Sequence, residues 1–252
     1  MGKRIKPEDI VGKVFQTNSG IDCVVVDYKG SMDVTVKFLD KYEYKAKTQL
    51  DRLIKGKIRN LYAPTIFGVG FIGVGKNSAF LDGKETRVYK YWSRMMSRGY
   101  SLAYKKAQVT YEDCYVCEDW HCFQNFADWC VLQIGFNSEY HLDKDILVKG
   151  NKVYSPDTCC FVPREINNIF TSCAAARGDL PQGVSWHKRD KRYIANLSVN
   201  GKLKWLGYYD TKEEAYSQYK THKEKQVKVV ALEWKDKIDE KVFNALMNWT
   251  VD

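Results

Sequence analysis

No run of eighteen apolar residues occurs anywhere in the 252 residues, so no segment is long enough to cross a bilayer as a hydrophobic helix. The opening Met1-Gly-Lys-Arg-Ile-Lys6 has no apolar core of the kind a secretory leader carries. A soluble, cytoplasmic chain with no membrane partner is the expectation. Internal repeats and low-complexity tracts are also lacking. So is a second Cys-x-x-Cys pair to match Cys114 and Cys117; two such pairs would mark a zinc site strongly, and one marks it weakly. Acidic residues are in short supply, 31 against 40 Lys and Arg, for a formal charge of +9. That balance favours a polyanionic partner.

The eight cysteines, without an export signal, read as reduced core residues or metal ligands. Cys122, His121, and Cys159 or Cys160 are the residues that would complete a structural zinc site with Cys114 and Cys117. Buried free thiols are the preferred reading. The length admits one large domain or two to three small ones, and three modules are expected: 1–66, 67–176 and 177–252. In the first, β-rich runs at 13–17, 23–28, 34–38 and 42–46 are separated by turn residues at Asn18-Ser-Gly20, Lys29-Gly-Ser31 and Asp40-Lys41. Four short strands over some fifty residues suggest a small SH3-like barrel. The excess of cations is already large here, with 13 Lys or Arg against 8 acids in the first 66 residues. Gly68-Val-Gly-Phe-Ile-Gly73 matches a dinucleotide fingerprint in letters only. Pro64 precedes it and the turn residues Gly75-Lys-Asn-Ser78 follow it, where that motif needs a strand and then a helix. Amphipathic helices are expected over 90–98 and 120–129, with Trp92, Met95 and Met96 on one apolar face.

From Gly183 to Ala215 the sequence reads as three short strands and the start of a helix. Tyr193, Ala195, Leu197 and Val199 alternate with Ile194, Asn196 and Ser198. Asn200-Gly201 is a two-residue hairpin signal, since both turn positions need positive φ. Asp210 or Thr211 caps a helix whose first turn holds Glu213 and Glu214, and Ala215 and Tyr219 fall four apart to pack on the sheet. Trp186, Tyr193 and Trp205 are interleaved with Lys188, Arg189, Lys191, Arg192, Lys202 and Lys204. This segment resembles the AP2 domain, in which a three-stranded sheet lies in the major groove with one helix behind it. The resemblance implies double-stranded DNA as partner. Those nine residues, with Asn196 and Ser198, are then the expected contacts, and Arg189 and Arg192 the ones suited to guanine edges. A solvated basic hairpin module with core tryptophans is the plainer alternative.

Upstream, His141-Leu-Asp-Lys-Asp-Ile146 is followed by Asn151, by Ser155-Pro-Asp-Thr-Cys-Cys-Phe-Val-Pro163 and by Arg164-Glu-Ile-Asn-Asn168. A strand, a loop, a second strand and a proline-initiated helix make a ββα unit. It resembles the HNH, or His-Me finger, nucleases of phage and mobile elements, in which AP2 domains commonly follow the nuclease module. By that resemblance Asp143 and Asn167 hold one magnesium or manganese ion. Lys144 stands where the general-base histidine is expected and is a candidate for base or phosphate clamp. Asp145 is a further suitable oxygen ligand, and His141, on the Asp143 strand face, is the candidate replacement base, with a surface ion cluster at the strand end as the plainer alternative. The expected fold is α+β and multi-domain: an N-terminal β barrel, a ββα-metal-like core, and a C-terminal three-stranded sheet with a helix. The expected function is a homing-type DNA endonuclease acting in a phage-infected or element-bearing bacterial host. A non-enzymatic DNA-binding protein or transcriptional regulator with a relic nuclease core is the alternative.

Overall fold

The computed structural model describes residues 6–170, 179–199 and 201–251. The chain is mixed α+β with several small sheets and forms two compact units, residues 1–128 and 129–252. The module boundary expected near residue 176 and the Asn200 turn position lie outside the described residues.

The first unit opens with an antiparallel meander of β1 (Val14–Gln16), β2 (Asp22–Gly30), β3 (Asp33–Phe38) and β4 (Lys45–Thr48). Strict alternation along β3 turns Val34, Val36 and Phe38 inward, where they meet Cys23, Val25, Leu53 and Ile58. The short helix α1 (Leu50–Ile54) supplies Leu53. The sheet is not the closed barrel that the sequence suggests: among the described residues β1 and β4 do not pair. Strands of three and four residues at the two edges, with bulges in the long β2, leave too little ladder to curl shut. β4 also begins three residues later than its sequence implies. Asp40 Oδ1 accepts the Tyr42 and Glu43 amides at 3.0 and 3.1 Å, and Glu43 sits at φ 46°, so the turn runs on to Tyr44.

The glycine-rich segment 68–73 forms irregular loop with no helix at its end. A Cβ at Gly73 would lie 2.5 Å from Cys122 Sγ, so close packing explains that glycine without any nucleotide. Beyond it come the hairpin β5 (Phe80–Leu81) and β6 (Lys84–Glu85), then α2 (Arg87–Tyr100), capped by Thr86. Trp92, Met95 and Met96 are fully buried on one face of α2, and Trp92 Nε1 donates to the Trp120 carbonyl at 2.7 Å. α3 (Leu102–Ala107), the two-residue strand β7 (Tyr115–Val116) and α4 (Phe123–Val131) follow.

In the second unit β8 (His141–Asp143) pairs antiparallel with β10 (Cys160–Val162), the short β9 (Val153–Tyr154) lying between them in sequence. Pro163 caps α5 (Arg164–Ile169), and α5 packs against β8. The strands β11 (Val184–His187), β12 (Arg192–Val199) and β13 (Lys202–Tyr209) form a separate antiparallel sheet in that order. The long helix α6 (Lys212–Trp234) serves both parts. Its first half brings Ala215 and Tyr219 onto Val184, Ala195 and Leu197 of the sheet. Its second half brings Val227 and Ala231 into one core with Ile146, Cys160, Val162 and Ile166. Val242 and Leu246 of α7 (Glu240–Met247) close that core.

Candidate functional site

The three-stranded sheet has one face covered and one open, and the strand register says which residues lie on each. Residues directly opposite in a ladder share a face. Ser185 pairs with Ile194, His187 with Arg192, Ile194 with Tyr208, Asn196 with Trp205 and Ser198 with Leu203. These residues form the open face. Ala195 and Leu197, two residues apart, are buried against α6 on the other. Trp205 and Leu203 remain 58% and 73% exposed, so neither is a core residue of this unit. Trp205 meets Tyr208 edge-on at 5.6 Å, and the Arg192 guanidinium lies 6.0 Å from the Tyr208 ring. An aromatic strip flanked by Arg192, Asn196 and Ser198 results.

Four of the expected contacts do not share this face. Trp186 pairs with Tyr193, Lys204 with Leu197 and Lys202 with Val199, all in the helix-side register. Trp186 is nonetheless 45% exposed at the sheet edge, where its ring meets Tyr193 at 4.8 Å. Lys188, Arg189 and Lys191 lie in the β11–β12 turn, all exposed, with Lys191 at φ 50°.

Sequence reasoning missed Tyr208, His187, Asp190 and Asp210. Counting back from the Asn200-Gly201 turn pairs Ile194 with Gly207 and sets Tyr208 on the helix side. A bulge between Ala195 and Asn196 shifts the register so that Ala195 faces Gly207 and Ile194 faces Tyr208. One extra residue exchanges the faces of everything beyond it. The glycine is the legible signal: Gly207 takes φ 149°, and a Cβ there would sit 2.9 Å from the Tyr209 hydroxyl.

The ββα unit has the element order its sequence implies. His141 and Asp143 lie on one face of β8, opposite Val162 and Cys160. His141 is exposed and Asp143 half-buried. Asp143 Oδ1 accepts the backbone amides of Asp145 and Ile146 at 2.7 and 2.9 Å. Its other oxygen receives no hydrogen bond among the described residues. Burial pushes this carboxyl above the usual range, although the two amides oppose the shift. Asn167 is half-buried on α5.

Lys144 is placed differently from a base or a phosphate clamp. Its side chain is 7% exposed, and Nζ donates to Asp145 Oδ1 at 2.7 Å and to the Asn151 carbonyl at 2.6 Å. Asn151 answers with Nδ2 donated to the Lys144 carbonyl at 2.8 Å and to the Val153 carbonyl at 2.6 Å. Lys144 and Asn151 therefore lock the loop that leaves β8.

Around the Cys-x-x-Cys pair, the Cys114 thiol faces the Thr110 carbonyl at 4.0 Å, and burial raises the Cys117 thiol above its ordinary pKa. His121 Nε2 is engaged with the Tyr100 hydroxyl at 2.8 Å and the Val116 carbonyl at 3.1 Å. Among the described residues no three His, Cys, Asp or Glu side chains gather as a metal site.

Comparison with protein-family models, with curated proteins and with solved structures finds no match to this chain.

Proposed function

We propose that this protein binds double-stranded DNA through the open face of its C-terminal sheet. The observation that carries this reading is the strip of exposed Trp205, Leu203 and Ser198 with half-buried Tyr208, Asn196 and Arg192, on a sheet whose other face packs Ala195 and Leu197 against α6. A β-ribbon fits the major groove, where arginine pairs with guanine, asparagine with adenine, and apolar groups with the thymine methyl. Lys188, Arg189 and Lys191 at the β11–β12 turn supply phosphate contacts, and the overall charge of +9 favours the approach. The test is titration of duplex DNA at rising salt. Affinity should fall steeply, roughly 10³-fold or more between about 50 and 200 mM if six phosphates are neutralised. Binding that hardly changes over that range rules the reading out.

A second reading, metal-dependent hydrolysis of the bound DNA, is favoured by the ββα unit. A half-paired carboxylate held against burial on β8, beside a helix carrying Asn167, suits a hard cation such as magnesium or manganese. Asp143 and Asn167 would hold the ion, whose chemistry is to polarise the scissile phosphate. His141, exposed two residues before Asp143, would take the proton of an attacking water. Lys144 has no part in proton transfer, because its ammonium is spent within the loop. Supercoiled plasmid incubated with magnesium or manganese should be nicked or linearised, and EDTA should prevent it. Plasmid that stays intact leaves a DNA-binding regulator with a relic core. A truncation lacking 178–252 does not separate these roles, since α6 and α7 complete the core of the ββα unit.

A further inference from the structure

The cationic end of the open sheet face is built from arginines that are already held by acids. Arg192 Nε donates to Asp210 Oδ1 at 2.9 Å, and Arg189 Nε donates to Asp190 Oδ1 at 2.8 Å. In both, the carboxylate takes the Nε side of the guanidinium. The outer Nη edges make no hydrogen bond among the described residues.

The Arg192 pair follows from the fold. Tyr193 lies opposite Tyr209 in the ladder, so the next position outward sets Arg192 across from Asp210. Asp210 is also free of capping duty. Thr211 caps α6, accepting from Glu214 N at 3.2 Å, and Glu214 Oε2 accepts from Thr211 N at 3.3 Å. Tyr208 lies beneath the guanidinium, 6.0 Å from its carbon. Arg192 is thus held along its Nε side and over one face, with the side chain 43% exposed and its remaining edge unbonded among the described residues. A guanidinium so held is a rigid two-donor fork, and a two-donor fork matches the O6 and N7 acceptors of guanine. Bracing reduces the side-chain entropy lost on contact.

Asp190 repeats the device at the turn. It accepts from Arg189, lies 3.2 Å from His187 Nδ1, and is held below the usual carboxylate range chiefly by Arg189. Arg189 is 84% exposed and belongs to a turn, whereas Arg192 is 43% exposed and belongs to a strand. The strand pair is the better fixed.

We infer that Asp210 is a positioning residue that holds Arg192 to read a guanine in duplex DNA, trading general affinity for selectivity. An acid at a DNA-binding face repels phosphate, so its presence costs non-specific binding; bracing the fork is what it returns. This inference rests on the DNA-binding reading above.

The experiment selects a randomised duplex pool with the full chain and compares wild type, Arg192→Ala, Asp210→Asn and Asp210→Ala. Both Asp210 variants remove the same charge, but only asparagine keeps an oxygen for Nε to bond. Wild type should enrich guanine at one position, and Arg192→Ala should erase that preference. Asp210→Ala should weaken it by roughly tenfold, within the range of one bidentate contact, while binding of unselected duplex tightens. Asp210→Asn should retain most of the preference with the same tightening. Equal behaviour of the two Asp210 variants, or full guanine preference in Asp210→Ala, overturns the brace and leaves DNA binding standing. Failure of the wild type to bind any duplex overturns the DNA-binding reading and the brace with it. Asp210 is 79% exposed, so thermal melting should be the same for all four proteins.

Discussion

Lys144 and Arg192 each bond an aspartate, at 2.7 and 2.9 Å, and the two pairs serve opposite ends. The lysine is 7% exposed and spends its donors inside one loop, whereas the arginine is 43% exposed and keeps an edge unbonded among the described residues. Charge in the ββα unit is consumed in holding the backbone; charge on the C-terminal sheet is displayed. A cation count along the sequence does not make this distinction. It depends on what each side chain meets once the strands pair.

The largest effect is expected at Lys144. Lys144→Ala should destabilise the protein by about 1.5–3 kcal/mol, the scale of losing a hydrogen bond to a charged group, while duplex affinity stays within twofold of wild type. Denaturant melts and DNA titrations on the same preparation check both halves. A variant that melts normally but loses DNA contradicts the loop-locking role.

Gly207→Val tests the other region. A β-branched residue at φ 149° should cost about 1–3 kcal/mol, and its Cβ would crowd the Tyr209 hydroxyl. Because the bulge sets which side Tyr208 occupies, binding should fall with stability. Stability lost with affinity intact would mean that the bulge does not order the open face.

How much of this was legible beforehand follows the same division. The β8–β10–α5 order and the C-terminal strands could be read from alternation, from Pro163 and from the acidic first turn of α6, all local signals. The faces of Tyr208 and Tyr209 could not be counted from the turn, because a bulge is a property of two paired strands. The open N-terminal meander escaped prediction for a related reason: closure depends on whether the edge strands are long enough to meet. Lys144 sat at the expected histidine position by spacing, but its loop partner Asn151 is seven residues away. Proximity in sequence gave the cation a catalytic address, and folding gave it a structural one.

Asp143 gives the ββα unit a pH dependence. Its carboxyl is raised by burial, so the favourable contribution of this group is fully present below the unfolded pKa and is lost as pH rises through the folded value. Asp143→Asn, which can keep the Oδ1 contacts to both amides, should therefore raise the melting temperature at pH 7. The gain should vanish below about pH 4, near the unfolded pKa. If Asp143 holds a cation, manganese should raise the melting temperature of wild type at pH 7 and leave Asp143→Asn unmoved. A melting temperature for the variant that equals wild type at both pH values would mean that Asp143 is not under the burial stress described.

The smallest effect is expected from Lys202 and Lys204. Their register partners Val199 and Leu197 place them on the helix side of the sheet, so they act on DNA across distance. Interactions between exposed charges fade beyond a screening length of about 8 Å at physiological salt. The double variant Lys202→Ala/Lys204→Ala should therefore weaken duplex binding at low salt by about threefold or less, and at physiological salt by an amount near the error of measurement. Guanine preference should not change. Arg192→Ala should lose preference at both salt concentrations, because an edge-to-edge contact is made at bonding distance. If the lysine pair instead costs more than Arg192, DNA approaches from the side bearing β13's lysines, and the assignment of the two sheet faces must be reversed.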